Sequence, residues 1–375
     1  MQLLRWLTAR TADMLALLKE LVELESPSTD KDAVDRLGAR IAAELERVGA
    51  AVRLLPGSDR GDHIRAQSGA GASGSQVLVL CHMDTVWPVG EVQRRPFRVE
   101  GGRALGPGTQ DMKAGIVQLC FALAALAADG RKVKDRVVAL VTSDEEIGSG
   151  SSRQSIEDEA RRSRAVLVLE PAAGSALKTS RKGVGGFAVK VEGRAAHAGA
   201  DPERGISAIE ELAWQTLKLQ RLTSFASGTT VNVGVVSGGS RTNVVAASAE
   251  AKVDVRVVTA AEGEKVAAAI RGLTPFLEGA RVSVTGGIGR PPMERTPGNL
   301  ALFNQARELG RELGLELTES SSGGGSDGNF TSALGVPTLD GLGAVGDGAH
   351  SVDEWVLVES LPQRAAVLGR LLETI

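Results

Sequence analysis

The chain is short of cysteine, histidine, net charge and long apolar runs, and each shortage excludes something. Only Cys81 and Cys120 occur in 375 residues, each inside an apolar run. That pattern predicts two buried, reduced thiols rather than a disulfide framework. The formal net charge is −3, which gives no electrostatic footprint for nucleic acid or an anionic membrane. No stretch reaches the roughly 18 to 20 consecutive apolar residues of a membrane span, so no membrane partner is expected. Near the start, Arg5 and Arg10 interrupt the apolar residues too early for a signal-peptide core, and a cytoplasmic location is the expectation. What remains is ordinary: 42% hydrophobic and 24% charged residues, the balance of a soluble globular protein. The length suits one large domain or two average ones.

Apolar periodicity divides the chain. Val34, Leu37, Ile41, Leu45 and Val48 recur at helical spacing, with Ser28-Thr29-Asp30 as caps upstream. Val77–Cys81, Val137–Val141 and Val166–Leu169 are continuous apolar strand candidates, and 112–128 is a candidate buried helix. Such strands separated by helices predict a mostly parallel sheet covered on both faces. After about residue 183 the order becomes strand (187–191), helix (205–222), strand (229–236), strand (248–258), helix (261–272) and strand (282–284). That is the β-α-β-β-α-β order of a ferredoxin-like unit. An α/β pattern then resumes with a helix at 299–313. The predicted class is α/β, with a first catalytic part at 1–182, an inserted α+β unit at 183–289 and a second catalytic part at 290–375. A Gly-Ala-Ser-rich piece at 68–75 reads as a surface loop.

The histidines are His63, His82, His197 and His350. His82-Met83-Asp84 follows the Val77 strand directly. Residues two apart on an extended chain share a face, so Asp84 can fix the His82 tautomer as carboxylates do behind metal-bound histidines. Asp111 ends a rigid Gly106-Pro-Gly-Thr-Gln stretch where a helix begins. Taken alone it reads as a helix cap. Ser143-Asp144-Glu145-Glu146 puts three adjacent acids at a strand end, where they repel unless a cation sits among them. One glutamate could then bind metal while its neighbour takes a proton from water. Glu170 follows a further strand, and Gly346-Asp-Gly-Ala-His350 is a flexible loop with one histidine. Two histidines with three carboxylates suit a borderline-hard divalent metal such as zinc.

These residues, in this order and spacing, resemble the zinc metallopeptidase family of aminoacylases, acetylornithine and succinyl-diaminopimelate deacetylases, and bacterial glutamate carboxypeptidases. The resemblance runs from about residue 11 to the C-terminus. It implies two Zn2+ per subunit. His82 and Glu170 would hold one, Glu146 and His350 the other, with Asp111 as the bridge, followed by a cis peptide to Met112. It further implies Glu145 as general base, Asp84 as orienter of His82, and a lid and dimerisation role for the inserted unit. His197, in Gly193-Arg-Ala-Ala-His-Ala-Gly199, would stabilise the oxyanion, often across a homodimer interface.

Within the family the glutamate carboxypeptidase branch is the most similar. Asn243 and Arg256 resemble residues lining its substrate site, and Arg290 resembles the arginine that grips a substrate carboxylate. A planar guanidinium suits that task through two parallel hydrogen bonds. Gly323-Gly-Gly-Ser-Asp327 resembles a further active-site loop. Ala246 stands where the branch has proline, and the loop after Glu170 differs in length, leaving Lys178, Arg181 and Lys182 unmatched. The expected substrate is a small molecule or short peptide with a free carboxylate, in first place a C-terminal glutamate. The alternatives are deacylation of another N-acyl amino acid and a catalytically silent metal-binding or dimerisation protein. A nucleotide-binding reading lacks a phosphate-loop motif.

Overall fold

The computed structural model describes residues 2–69, 75–131, 133 and 135–375. The expected surface loop at 68–75 falls mostly at 70–74, outside the described residues. Two compact units divide the chain. One comprises Met1–Ser180, Arg295–Ser321 and Ser326–Ile375; the other comprises Arg181–Glu294 and Ser322–Gly325.

The first unit is organised by a six-stranded sheet in the order Ala51–Leu55, His63–Ser68, Arg136–Thr142, Gln76–His82, Ser163–Val168, Thr338–Leu339. The last four run parallel. The first two form an antiparallel hairpin whose second strand also pairs antiparallel with Arg136–Thr142. Alternation within the apolar runs explains why helices cover both faces. Leu78, Leu80, Val138, Leu140, Val166 and Val168 pack with Ile156, Ala160 and Phe330. Val77, Val79, Cys81, Val137, Ala139 and Val141 pack into the larger core. Burial on both faces is what removes the polar alternation from these strands.

Register brings the strand ends level. His82 lies opposite Thr142 and Leu80 opposite Val168. The polar residues that follow each strand therefore emerge at one edge, the carboxyl end where open α/β sheets place their sites.

Three helices, Gln2–Thr8, Thr11–Glu23 and Lys31–Arg47, occupy the region before the first strand. Asp30 caps the third, accepting from Ala33 N at 3.0 Å. Thr109–Ala128, 20 residues, would pass as a membrane span by length and composition alone, but 78% of its most apolar stretch is buried inside the protein and its regular helix is only Ala114–Ala128. It is a core helix, apolar all round because it is surrounded. A second sheet of seven strands, including Arg98–Glu100, Arg103–Leu105, Val345–Asp347 and Trp355–Leu357, was not legible in the sequence. Strands of three residues are too short to show a period.

The second unit is a four-stranded antiparallel sheet in the order Thr230–Gly238, Ser248–Val257, Gly183–Glu192, Arg281–Arg290. The helices Ala208–Gln220 and Ala260–Arg271 share one apolar core with it. In chain order this is β-α-β-β-α-β, with the fourth strand beside the first, the ferredoxin-like arrangement. Ser322–Gly325 joins this unit through bonds from Lys182 N to the Ser322 carbonyl (2.9 Å) and from Arg181 to the Gly324 and Gly325 carbonyls (3.3 and 3.2 Å).

Candidate metal centre

His82 closes its strand and is 2% exposed. Its Nδ1 meets the Asp84 main-chain oxygen at 3.0 Å and the Asp84 carboxylate at 3.5 Å. In the neutral ring Nδ1–H donates to that oxygen, so the Nε2 lone pair points the other way. There Nε2 faces Asp111 Oδ1 at 3.0 Å and Glu170 Oε1 at 3.4 Å. The carboxylate of Asp84, completely buried, has a wider job than orienting His82. It accepts from Glu145 N and Glu146 N, both at 3.1 Å, and from Ser28 Oγ at 2.6 Å. One carboxylate thus fixes the backbone of both neighbouring glutamates.

Asp111 is not a helix cap. Its φ of −114° and ψ of 93° break the helical path, the peptide to Met112 is cis, and the helix proper begins at Ala114. Its carboxylate faces His82 on one oxygen and His350 Nε2, at 3.4 Å, on the other. His350 also meets Glu146 at 3.0 Å. His350 has φ +62°, a left-handed conformation that costs a residue with a Cβ about 1 to 2 kcal/mol. The loop's bonds to the Asp111 turn hold it there. Ligand atoms of His82, Glu145 and Glu170 lie within 4.8 Å of one another, as do those of His82, Asp111 and Glu146.

Of the three adjacent acids, Asp144 turns away. It accepts from Ser151 N (2.6 Å) and Ser151 Oγ (2.7 Å) and shapes the loop. The fourth histidine, His63, lies behind that loop, near Ser143 Oγ (3.0 Å) and Ser151 Oγ (3.3 Å). Close packing carries Glu170 into place. A Cβ at Gly115 would stand 2.4 Å from the Leu169 carbonyl oxygen, and one at Gly343 would stand 2.6 Å from that of Glu170.

The electrostatics are those of crowded acceptors. Burial would pull the His82 pKa down, but its bonds to Asp111, Asp84 and Glu170 hold it well above the ordinary value. His350 is pushed up to about 10 by Asp111 and Glu146. Burial pushes Glu146 up, whereas Asp111, despite its own burial, is held low by the two histidines. Both histidines are drawn towards holding protons by carboxylates that crowd them. Divalent cations at the same lone pairs would neutralise the cluster instead. Two imidazoles and three carboxylates, with both thiols buried elsewhere in the core, fit a cation such as zinc.

Two residues that the sequence did not mark as site residues join the site: Glu354, and Ser28, which read there as a helix cap. Glu354, four positions after His350 and 1% exposed, accepts backbone N–H groups of the turn before Asp111. Burial pushes its carboxyl up to about 7 and pulls the buried Lys113 amine down to about 7. Ser28 holds Asp84. Neither lies in an acid-histidine cluster along the chain, so only packing reveals them.

The other predicted residues lie in the second unit. Arg290 is buried, 8% exposed. It sits opposite Val184, which sits opposite Arg256, so both arginines lie at one end of the sheet. Arg256 holds Asp254 in two bonds of 3.1 Å. Asn243 and His197 are exposed and lie past the opposite end. There Ala198 N bonds to the Asn243 carbonyl at 3.0 Å, continuing the backbone ladder. The ends of the strand Gly183–Glu192 are roughly 30 Å apart at about 3.3 Å per residue. Within one chain, Asn243 therefore does not adjoin Arg290 and Arg256.

The carboxypeptidase G2 of Pseudomonas sp. (strain RS-16) is 32% identical over 366 residues, 95% of this chain and 87% of that protein. A succinyl-diaminopimelate desuccinylase of Dechloromonas aromatica (strain RCB) is 29% identical, covering 78% of this chain and 82% of its own. The crystal structure of aminopeptidase PepT from Bacillus cereus ATCC 10987 superposes with a TM-score of 0.79 at 21% identity, covering 97% and 98% of the two chains. Residues 78–374 match the pattern of Peptidase family M20/M25/M40. With that match, and with two histidines and three carboxylates gathered at the carboxyl edge of its sheet, the chain belongs to Peptidase family M20/M25/M40 and is a metallohydrolase.

Proposed function

We propose that this enzyme is a di-zinc carboxypeptidase that releases a C-terminal glutamate from an N-acyl or short-peptide substrate. The observation carrying this reading is Asp111, whose two carboxylate oxygens face one histidine each. His82 and Glu170 would hold one cation, Glu146 and His350 the other, with Asp111 shared. Bound cations would supply Lewis acidity to the scissile carbonyl and lower the pKa of water.

The chain's own groups do the rest. Asp84 fixes His82 and the backbone of Glu145 and Glu146. Glu145 takes the proton of the attacking water and passes it to the departing amine. Arg290 pairs with the substrate carboxylate, with Arg256 at the same end of the sheet. His197 donates to the developing oxyanion, with Asn243 beside it. The separation of these two pairs along one sheet supports a reading in which His197 and Asn243 serve the site of a second copy, in a homodimer. The second unit is its dimerisation domain and lid, and the edge strand Thr230–Gly238, with exposed Val235 and Val236, is a surface open to a partner. The enzyme works in the cytoplasm.

The 32% identity to a carboxypeptidase G2 over nearly the whole chain supports this branch. A second reading, removal of a succinyl or acetyl group from an amino acid, is favoured by the match to a desuccinylase. A panel of N-acyl-glutamate, acetylornithine and succinyl-diaminopimelate separates the two. We expect the highest kcat/KM on the glutamate substrates, loss after chelation and recovery with zinc. Preference for succinyl-diaminopimelate would reject the glutamate reading, and chelator-insensitive turnover would reject the metals.

A further inference from the structure

Glu354 occupies a position that packing alone would give to an apolar residue. Its side chain is buried, and its two oxygens meet four donors. Oε2 accepts from Gly108 N at 2.7 Å and Trp87 Nε1 at 3.2 Å. Oε1 accepts from Gln110 N at 2.8 Å and Asp111 N at 3.1 Å. Three of these donors are amides of the turn that presents Asp111. In a continuous helix such amides are satisfied by the preceding turn or by a cap. Here Gly108 is left-handed (φ +73°) and Asp111 leaves the helical path, so neither solution is available.

The same contact ties two distant segments. Glu354 belongs to the loop that presents His350, and Gly106 N bonds back to its carbonyl at 3.4 Å. On the other side Gln110 Oε1 accepts from Ala349 N at 2.9 Å. The Asp111 turn and the His350 loop are thus clamped from both directions.

We propose that Glu354 is the positioning residue of the metal centre, holding the 108–111 turn so that Asp111 faces both histidines. The inference rests on Asp111 being the shared ligand. A glutamine here offers one acceptor oxygen, and its amide N–H groups oppose the donors on the other side. An aspartate keeps the charge but falls one methylene short. Loss of the clamp loosens both cation sites together, because Asp111 belongs to both.

The test is zinc titration of the metal-free protein against a chromophoric chelator, with kcat, KM and the thermal midpoints of metal-free and loaded protein. Glu354→Gln is expected to weaken both zinc sites about 10- to 100-fold, the usual cost of losing a group behind a metal ligand. Its kcat falls and is partly restored by excess zinc, while KM stays near wild type. Trp87→Phe keeps all three turn amides paired and is expected to bind zinc like wild type. Where Glu354→Gln fails to fold, Glu354→Asp gives the same readout. Unchanged zinc affinity, with equal lowering of both thermal midpoints, overturns the inference and leaves Glu354 a packing residue. Asp111→Asn separates this failure from failure of the function itself. If Asp111→Asn keeps both zinc sites, the shared-ligand reading is wrong. If it loses them while Glu354→Gln does not, only the clamp is wrong.

Discussion

The metal centre and the substrate-binding candidates of the second unit are built on opposite plans. The candidate metal donors come from separate segments spread over residues 82 to 350, yet two overlapping groups of them, His82 with Glu145 and Glu170 and His82 with Asp111 and Glu146, lie within 4.8 Å. They leave the ends of level parallel strands or rigid glycine turns, and buried carboxylates of Asp84 and Glu354 hold their backbones. The candidates of the second unit spread along one sheet, with Arg290 and Arg256 at one end and Asn243 and His197 at the other. Three of those four are at least partly exposed. A cation needs all its donors in place before substrate arrives. On the proposed reading, substrate would instead be met by groups that a second copy supplies.

The largest effect should separate chemistry from metal binding. Glu145→Gln is expected to lower kcat about 10²- to 10⁴-fold, the worth of a general base, while metal analysis still finds full occupancy. Near-normal turnover would make the two glutamates equivalent and erase the division of roles. Next comes the split within the second unit. His197→Ala and Glu145→Gln should each be inactive alone. Mixed and re-associated, they should regain about a quarter of wild-type sites, since half the dimers are mixed and each then holds one intact site. No recovery would return His197 to its own chain's site and undo the argument from strand length.

Substrate anchoring is the third step. Arg290→Lys should raise KM roughly 10- to 100-fold with little change in kcat, because hydrogen bonds to a charged group are worth about 1.5 to 3 kcal/mol. A fall in kcat at constant KM would instead place Arg290 in the chemistry. The smallest effect is a control far from both sites. Glu44 is buried, and its bonds to Arg47 and Arg40 outweigh burial and hold its pKa below 4.5. A depressed folded pKa stabilises above the unfolded value, and the gain is lost as pH falls through the folded value. Glu44→Gln should therefore cost about 1 kcal/mol at pH 7 and nothing in strong acid. Turnover should be unchanged in a denaturant and activity series across pH.

The same contrast explains what was legible in the sequence. That His82, Asp111, Glu145, Glu146, Glu170 and His350 form one candidate site was readable because metal chemistry admits few residue types and strand ends fix where they occur. The central strands and the ferredoxin-like order were readable because each run exceeds one period. Glu354 and Ser28 were not, since their partners are backbone amides or residues far along the chain. The seven-stranded sheet was missed because five of its strands have only two or three residues. The separation of Asn243 from Arg290 was hidden because register between strands is set by three-dimensional pairing, not by distance along the chain.

The central claim, a two-cation centre with Asp111 between the halves, is tested most directly by metal titration of the metal-free wild-type enzyme. The account predicts two equivalents of divalent metal bound per chain, with hydrolysis returning as they bind. Saturation at one equivalent, or full hydrolysis with none, would contradict it.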